Sequence, residues 1–346
     1  MTFPKNVTFN EIKAQPEAWD EAIQIAKKRS EDLEVFLSAA YQQNVFIGCG
    51  STYYLSLSAA AFMQAMTKRI SRAYPSSELL HSPKNIFPNK NSCSLLIALS
   101  RSGTTTETLL ATGNFKEDQQ GNVIIVTNYP NSKLITLGDI KIAIPGGQEK
   151  SVAQTKSFAS MYVACTTIAL LAGHFEDLIS SMNNLPSLGE NLLNEYDYLA
   201  QELGQDQNIN QFFFLGSSNL YGLACEASLK LKEMSLTVSE PFHFLEFRHG
   251  PISMVNSNTM VIGLLSEERR KYEEPVLEQV RSLGGRTLSL GELNTDVSFQ
   301  SGLPEPVRGV LYLPILQLIA YYRATNQGLN PDKPRNLSAV VELKIP

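Results

Sequence analysis

Two copies of one short pattern, 168 residues apart, most constrain how this chain folds. Phe46-Ile47-Gly48-Cys49-Gly50-Ser51 returns as Phe214-Leu215-Gly216-Ser217-Ser218-Asn219, and each copy runs from an apolar stretch through a glycine turn into an alanine-containing helical pattern. Leu99-Ser100 and Leu265-Ser266 repeat in the same way, 166 residues apart, each ending a strand ahead of a helix. Such a repeat, carrying strand, turn and helix signals in one order, predicts a duplicated α/β domain. In the first half, residues 44–47, 94–99 and 122–128 are short aliphatic or β-branched runs stopped by Gly, Ser, Asn or Pro, with helical patterns between them. Continuous apolar strands alternating with helices mean a parallel sheet covered on both faces.

With 346 residues the chain exceeds one ordinary core, so two domains are expected. The boundary is placed near 190–200, after the turn-rich Leu185-Pro186-Ser187-Leu188-Gly189, giving domains 1–195 and 196–346. Hydrophobic content of 43% against 18% charged describes a packed globular protein, and a net charge of −5 without long blocks argues against a nucleic-acid surface. Cys49, Cys93, Cys165 and Cys225 are widely spaced with no CxxC pair, as in buried reduced thiols, so neither disulfides nor a metal site nor a cofactor is expected. The first six residues carry no apolar leader, and the longest apolar stretch, 158–172, is too short to span a membrane and reads as a buried helix. No membrane association and a cytoplasmic location are therefore expected.

Ser100-Arg101-Ser102-Gly103-Thr104-Thr105 lies where a strand gives way to a helix. Helix N-termini present unpaired N–H groups and the positive end of the macrodipole, and Ser100, Ser102, Thr104 and Thr105 add neutral hydroxyls. Gly103 lets the backbone approach a ligand. The loop reads equally as a phosphate cradle or as a Ser/Thr-rich helix cap. The corresponding place in the second half has Glu267-Glu268-Arg269, whose carboxylates would repel a phosphate, so only the first half is expected to hold an anion.

Glu226, Lys230 and Glu233 stand at i, i+4 and i+7 on one helix face, either as a solvated salt-bridged stripe or as part of a site. His243 and His249, two of four histidines, lie in an unusually aromatic loop, which suits either a site or a tightly packed connection.

Six ordered blocks carry a resemblance: 46–52 (FIGCGST), 98–108 (ALSRSGTTTET), 151–158 (SVAQTKSF), 226–235 (EASLKLKEMS), 246–251 (EFRHGP) and 330–337 (NPDKPRNL). Together they resemble the sugar isomerase (SIS) family, and within it the isomerase half of glucosamine-6-phosphate synthase and the stand-alone sugar-phosphate isomerases and aminosugar-phosphate deaminases. The resemblance implies two tandem SIS domains, each a parallel sheet flanked by helices in a three-layer, flavodoxin-like α/β/α arrangement. It implies that Ser51, Thr52, Ser100, Ser102 and Thr105 hold a sugar phosphate, with Arg101 adding a cation. Gly50, Val152, Ala153 and Lys156 would line the sugar. Glu233 would move a proton between C1 and C2, His249 would serve in ring opening, reaching across a homodimer, and Lys230 would tune the carboxylate or touch the sugar. These residue types suit the chemistry, since a carboxylate and a group titrating near pH 6.5 are what aldose–ketose interconversion needs.

Four departures qualify it. No glutamine-hydrolysing domain is expected, and Thr2 stands where such a domain would need cysteine. Arg101 replaces a glutamine, and Gln154 a serine. Ala339 stands where the synthase has its imine-forming lysine. The expected function is aminosugar-6-phosphate deamination with isomerisation, giving ketose 6-phosphate and ammonia, which needs no lysine adduct. The alternatives are a plain aldose–ketose isomerase, a fructosamine-6-phosphate deglycase, or a non-catalytic phosphosugar sensor. The last has no need of both Glu233 and His249, and the N-terminal forty residues lack a basic recognition helix.

Overall fold

The computed structural model describes residues 6–88, 93–118, 121–341 and 343, so most of the N-terminal stretch read for a leader lies outside the described residues. Two parallel five-stranded sheets form. β1 (Gln43–Gly48), β2 (Ser71–Pro75), β3 (Ser94–Leu99), β4 (Gly121–Thr127) and β5 (Ile140–Ala143) are ordered β2-β1-β3-β4-β5. β6 (Gln211–Leu215), β7 (Val238–Phe242), β8 (Thr259–Leu264), β9 (Arg286–Gly291) and β10 (Val297–Ser298) are ordered β10-β9-β8-β6-β7, the same sequence of positions. Every described strand pair is parallel. The inner strands explain why: β3 and β8 are buried along their whole length, which demands helices on both faces.

The two compact units interleave along the chain. The β1–β5 unit comprises Glu17–Glu149, Lys156–Asn183 and Ser338–Pro346, and the β6–β10 unit comprises Met1–Pro16, Lys150–Thr155 and Asn184–Leu337. In the first, Val45, Ile47, Leu96, Ala98, Val123 and Ile125 build a core against Phe87 and Phe115. In the second, Phe213, Leu215 and Val261 pack on Phe244, Phe247, Val276 and Val280. The buried helix expected over 158–172 is Lys156–Ala172, and the charged N-terminal region forms helices Val7–Lys13, Gln15–Lys28 and Ser30–Ser38. Among the described residues no helix is long and apolar enough to cross a membrane.

Two local readings are corrected. Leu185-Pro186-Ser187-Leu188-Gly189 is not a break but the start of helix Leu185–Glu195. Proline is harmless in a first turn, where its N–H would have no partner, and Leu185, Gly189, Leu192 and Leu193 give the helix one buried face. The aromatic loop around the two histidines is also more regular than expected. Its first residues complete β7, and Phe244–Phe247 is a short helix whose two phenylalanines are buried. Pro241 is tolerated because β7 is an edge strand, as Pro75 is in β2.

Candidate active site

In the β1–β5 unit the chain leaves β1 for β2 on one side and later returns to β3 on the other, and ligands in such sheets sit beyond the carboxyl ends of the strands at that reversal. The two loops located there are those of the 46–52 and 98–108 blocks. Gly48 is required, since a Cβ would lie 2.4 Å from the Thr52 backbone, and Gly50 takes φ +57° to start helix Ser51–Thr67. Thr52 accepts from the Cys49 N–H at 2.9 Å and donates to the Cys49 carbonyl at 2.9 Å, so its hydroxyl shapes the turn. Ser51 opens the helix and is buried.

After β3 the second loop is held from beneath. Thr127 Oγ1 and the Asn128 N–H both donate to the Arg101 carbonyl, at 3.0 and 3.2 Å, and the Leu134 N–H donates to the Gly103 carbonyl at 3.0 Å. Gly103 has φ +62°, and its missing Cβ leaves room for Ser132, which it would meet at 2.1 Å. Ser100 Oγ accepts the Gly103 N–H at 3.1 Å. Ser102 Oγ accepts from both the N–H and the hydroxyl of Thr104, at 3.2 and 3.0 Å, and so keeps its own proton to donate. Ser102, Thr104 and Thr105 are half-buried, ahead of helix Thr106–Glu117. Arg101 does not follow them outward. It is buried, its Nη1 lies 3.6 Å from Glu149 Oε1, and its Nη2 donates to the Ala339 carbonyl at 2.6 Å. Lys156 begins helix Lys156–Ala172 and is half-buried in the same unit.

The β6–β10 unit carries the carboxylates. Helix Asn219–Ser235 places Glu226, Lys230 and Glu233 on one face, as the spacing requires, and that face is not solvated. Glu226 is 0% exposed and Lys230 1%. The Lys230 ammonium lies 3.2 Å from Glu226 and in closer contact with Glu233. Burial alone would push the lysine down, but the two carboxylates outweigh it and hold Lys230 above its ordinary value. A buried charge with two counter-charges is a fixed element, because removing either partner would strand the other. Glu233 is half-buried and lines a cavity of about 170 Å³ with Asn330, Lys333 and Arg335. His249 is exposed, with its own N–H donating to the Glu246 carbonyl at 2.9 Å. His243 caps the short helix and stacks on Tyr221, ring centroids 3.8 Å apart.

Val152 and Ala153 belong to this unit. The Val152 N–H donates to the Asp332 carbonyl at 3.2 Å, while Glu11 of the first helix accepts from the N–H groups of Lys150 and Ser151 at 2.5 and 3.3 Å. Glu11, Glu149, Lys333 and Arg335 escaped the sequence reading. Glu149 lies just outside the 151–158 block, and Lys333 and Arg335 sit inside the 330–337 block, where no pattern distinguishes a surface cation from one lining a cavity.

The loop after β8 shows why the second copy differs. The N–H groups of Glu267 and Glu268 donate to Glu305 Oε2 at 3.1 and 3.2 Å, and the Ser266 N–H donates to Glu273 at 2.7 Å. Internal carboxylates already take the donors that a phosphate would use there. A cavity of about 300 Å³ lined by Leu79, Phe87 and Phe115 among others includes none of the candidate residues.

A parallel sheet repeated once along the chain, with a hydroxyl-rich loop at the strand reversal of the first copy, defines a class of duplicated α/β domain. The SIS domain model matches residues 39–171 and 207–297, more than half of the chain, and the chain belongs to the SIS domain family. It is 29% identical over 314 residues to the isomerizing glutamine–fructose-6-phosphate aminotransferase of Buchnera aphidicola, covering 86% of this chain and 51% of that protein. The chain thus spans about half the length of the curated relatives it matches. Among solved structures it is similar to a glucosamine-6-phosphate deaminase from Thermotoga maritima (27% identity, TM-score 0.77, 98% of this chain and 100% of that one). The tagatose-6-phosphate ketose/aldose isomerase of Escherichia coli shares the fold at 19% identity and TM-score 0.84, over 96% of this chain and 97% of that one.

Proposed function

We propose that the chain is a phosphosugar enzyme that deaminates and isomerises an aminosugar 6-phosphate of the glucosamine type, releasing ammonia and a ketose 6-phosphate. The observation that carries this is the buried Glu226–Lys230–Glu233 row, which spends about the most expensive kind of side-chain burial on fixing one half-exposed carboxylate. In this reading Ser51, Ser100, Ser102 and Thr105 hold the phosphate, and Glu233 and His249 serve as base and acid. Both are taken as three-layer, flavodoxin-like domains.

After ring opening, assisted by His249, Glu233 removes the C2 proton of the open aldose and delivers it to C1, leaving an imine at C2. Water adds to that imine and ammonia leaves, so the nitrogen, the added water and the transferred proton all balance. No lysine adduct is needed, which fits Ala339. Gly50, Val152, Ala153 and Lys156 are assigned to the sugar, and a homodimer in which His249 serves the partner's substrate is the proposed active form. The similarity to the Thermotoga maritima deaminase along almost the whole of both chains supports this reaction.

The test is ammonia release from glucosamine 6-phosphate and galactosamine 6-phosphate, with ketose phosphate followed in parallel. Ammonia and ketose phosphate in equal amounts support the proposal. Aldose–ketose interconversion without ammonia would replace it with a plain isomerase.

A further inference from the structure

The segment that carries His249 has little local support. Helix Phe244–Phe247 has four residues, too few to hold itself in water, so its place is set by what it packs against. On its inner side Phe244 and Phe247 are buried in the core with Phe213. The rest is backbone: the Phe247 N–H donates to the His243 carbonyl at 3.0 Å, the Arg248 N–H to that of Leu245 at 3.1 Å and the His249 N–H to that of Glu246 at 2.9 Å. The Arg248 side chain adds one exposed bond to Gln279 at 3.0 Å. His249 therefore stands where the turn that starts at His243 puts it.

His243 is exposed and its side chain makes no cap hydrogen bond, yet its ring lies flat on Tyr221, centroids 3.8 Å apart and planes 19° from parallel. Tyr221 belongs to the first turn of helix Asn219–Ser235 and is hydrogen-bonded to the buried Cys225 thiol one turn on. The stack thus ties the start of the histidine segment to a 17-residue helix, from outside the phenylalanine core. Glu233 lies near the far end of that helix, about 18 Å along its axis, so the contact bears on His249 and not on the base.

We propose that Tyr221 and His243 are a positioning pair, and that their stack sets where His249 stands for ring opening. The proposal rests on the assignment of His249 to that step. It gives His243 its role as a flat ring with no proton transfer of its own, which accounts for two histidines six residues apart in one segment.

The test measures kcat and KM for ketose phosphate and ammonia release from glucosamine 6-phosphate, together with amide exchange at Phe247 and His249. H243A and Y221L are expected to lower kcat about three- to tenfold, the range one aromatic contact supplies, with KM within about twofold and faster exchange at both amides. H243F and Y221F keep a ring at each position and should stay within about twofold of the parent protein on every readout. In an H249A background, H243A should change kcat less than about twofold, because the pair acts through His249. Losses from H243A and H249A that simply multiply would overturn the proposal. So would H243F as slow as H243A, which would make the imidazole itself the acting group, or unchanged amide exchange in H243A. H243A truncates an exposed side chain, so it reports on the pair even if Y221L does not fold. Failure of the reaction reading is separable: the parent protein would then release no ammonia, while exchange at Phe247 and His249 still rose in H243A and returned in H243F.

Discussion

Gly50 and Ser218 adopt one backbone conformation, φ +57° and ψ −125° in the first, φ +54° and ψ −127° in the second. They are the starts of two helices of 17 residues, Ser51–Thr67 and Asn219–Ser235, which both end on a left-handed residue, Lys68 and Leu236. Gly48 and Gly216 match as well, each facing the backbone of the residue four positions on at 2.4 Å. The duplication therefore extends to dihedral angles that side-chain patterns do not show. One copy meets the demand with glycine and the other with serine, which sits in a region that strongly favours glycine.

That difference is measurable. Ser218→Gly should raise stability by roughly 1 kcal/mol, while Gly50→Ala should lower it by about 1–3 kcal/mol through backbone strain alone, since a Cβ at Gly50 meets nothing within 4 Å. Chemical denaturation of the two variants checks both signs. A stabilised Gly50→Ala protein would refute the strain account.

Glu233→Gln is expected to abolish turnover while changing phosphosugar affinity less than about threefold, because the amide keeps the shape and loses the base. Rates near those of the parent protein would remove Glu233 from the mechanism. Lys230→Met should instead act on folding, at roughly 3–5 kcal/mol, because Glu226 would be left buried without its counter-charge.

Ser102→Ala with Thr105→Ala should weaken every phosphosugar alike, by roughly tenfold for each hydroxyl bond to the dianion that is lost. Calorimetric titration across several sugars tests this. Equal affinity in the double variant would mean that the loop is a helix cap and nothing more.

One phosphosugar should bind per chain. Glu305 and Glu273 already occupy the N–H groups of the loop after β8, so the second copy offers no open cradle. Two equivalents in a calorimetric titration would contradict that geometry.

His243 links stability to pH. Although His243 is exposed, partial desolvation lowers its imidazole below the usual 6.5, with Glu246 opposing, while one ring face stacks on Tyr221. The folded state therefore binds the proton more weakly than the unfolded chain does. Its contribution is fully present above pH 6.5 and is lost as pH falls through the folded value. His243→Phe should flatten the stability profile below pH 6.5, as followed by thermal unfolding. An unchanged slope would show that the profile comes from other groups.

Much of the architecture is legible in local signals. Continuous apolar runs such as Ser94–Leu99 announce buried parallel strands, glycine turns mark where they end, and the 168-residue echo announces the second sheet. The spacing of Glu226, Lys230 and Glu233 likewise dictates a shared helix face. All of these depend on residues close together in the chain, where helix and strand periodicity apply directly. The weaker readings failed at short elements whose stability comes from packing. Leu185–Glu195 is helical despite Pro186 and Gly189 because one face is buried, and Val238–Phe242 is a strand despite Pro241 because it lies at an edge.

The amino-acid order by itself thus determined the class of fold, its duplication and the hydroxyl-rich loop at the strand reversal, since each is written in contiguous residues. Only the tertiary structure decided that the Glu226 face is buried rather than solvated and that Glu305 fills the second loop. It alone turned Arg101 inward to Glu149 and Ala339. Each of those outcomes depends on a partner tens to hundreds of residues away, or on what covers the surface. For a buried charge, the balance between desolvation and pairing is set by that distant partner and not by its neighbours in the chain.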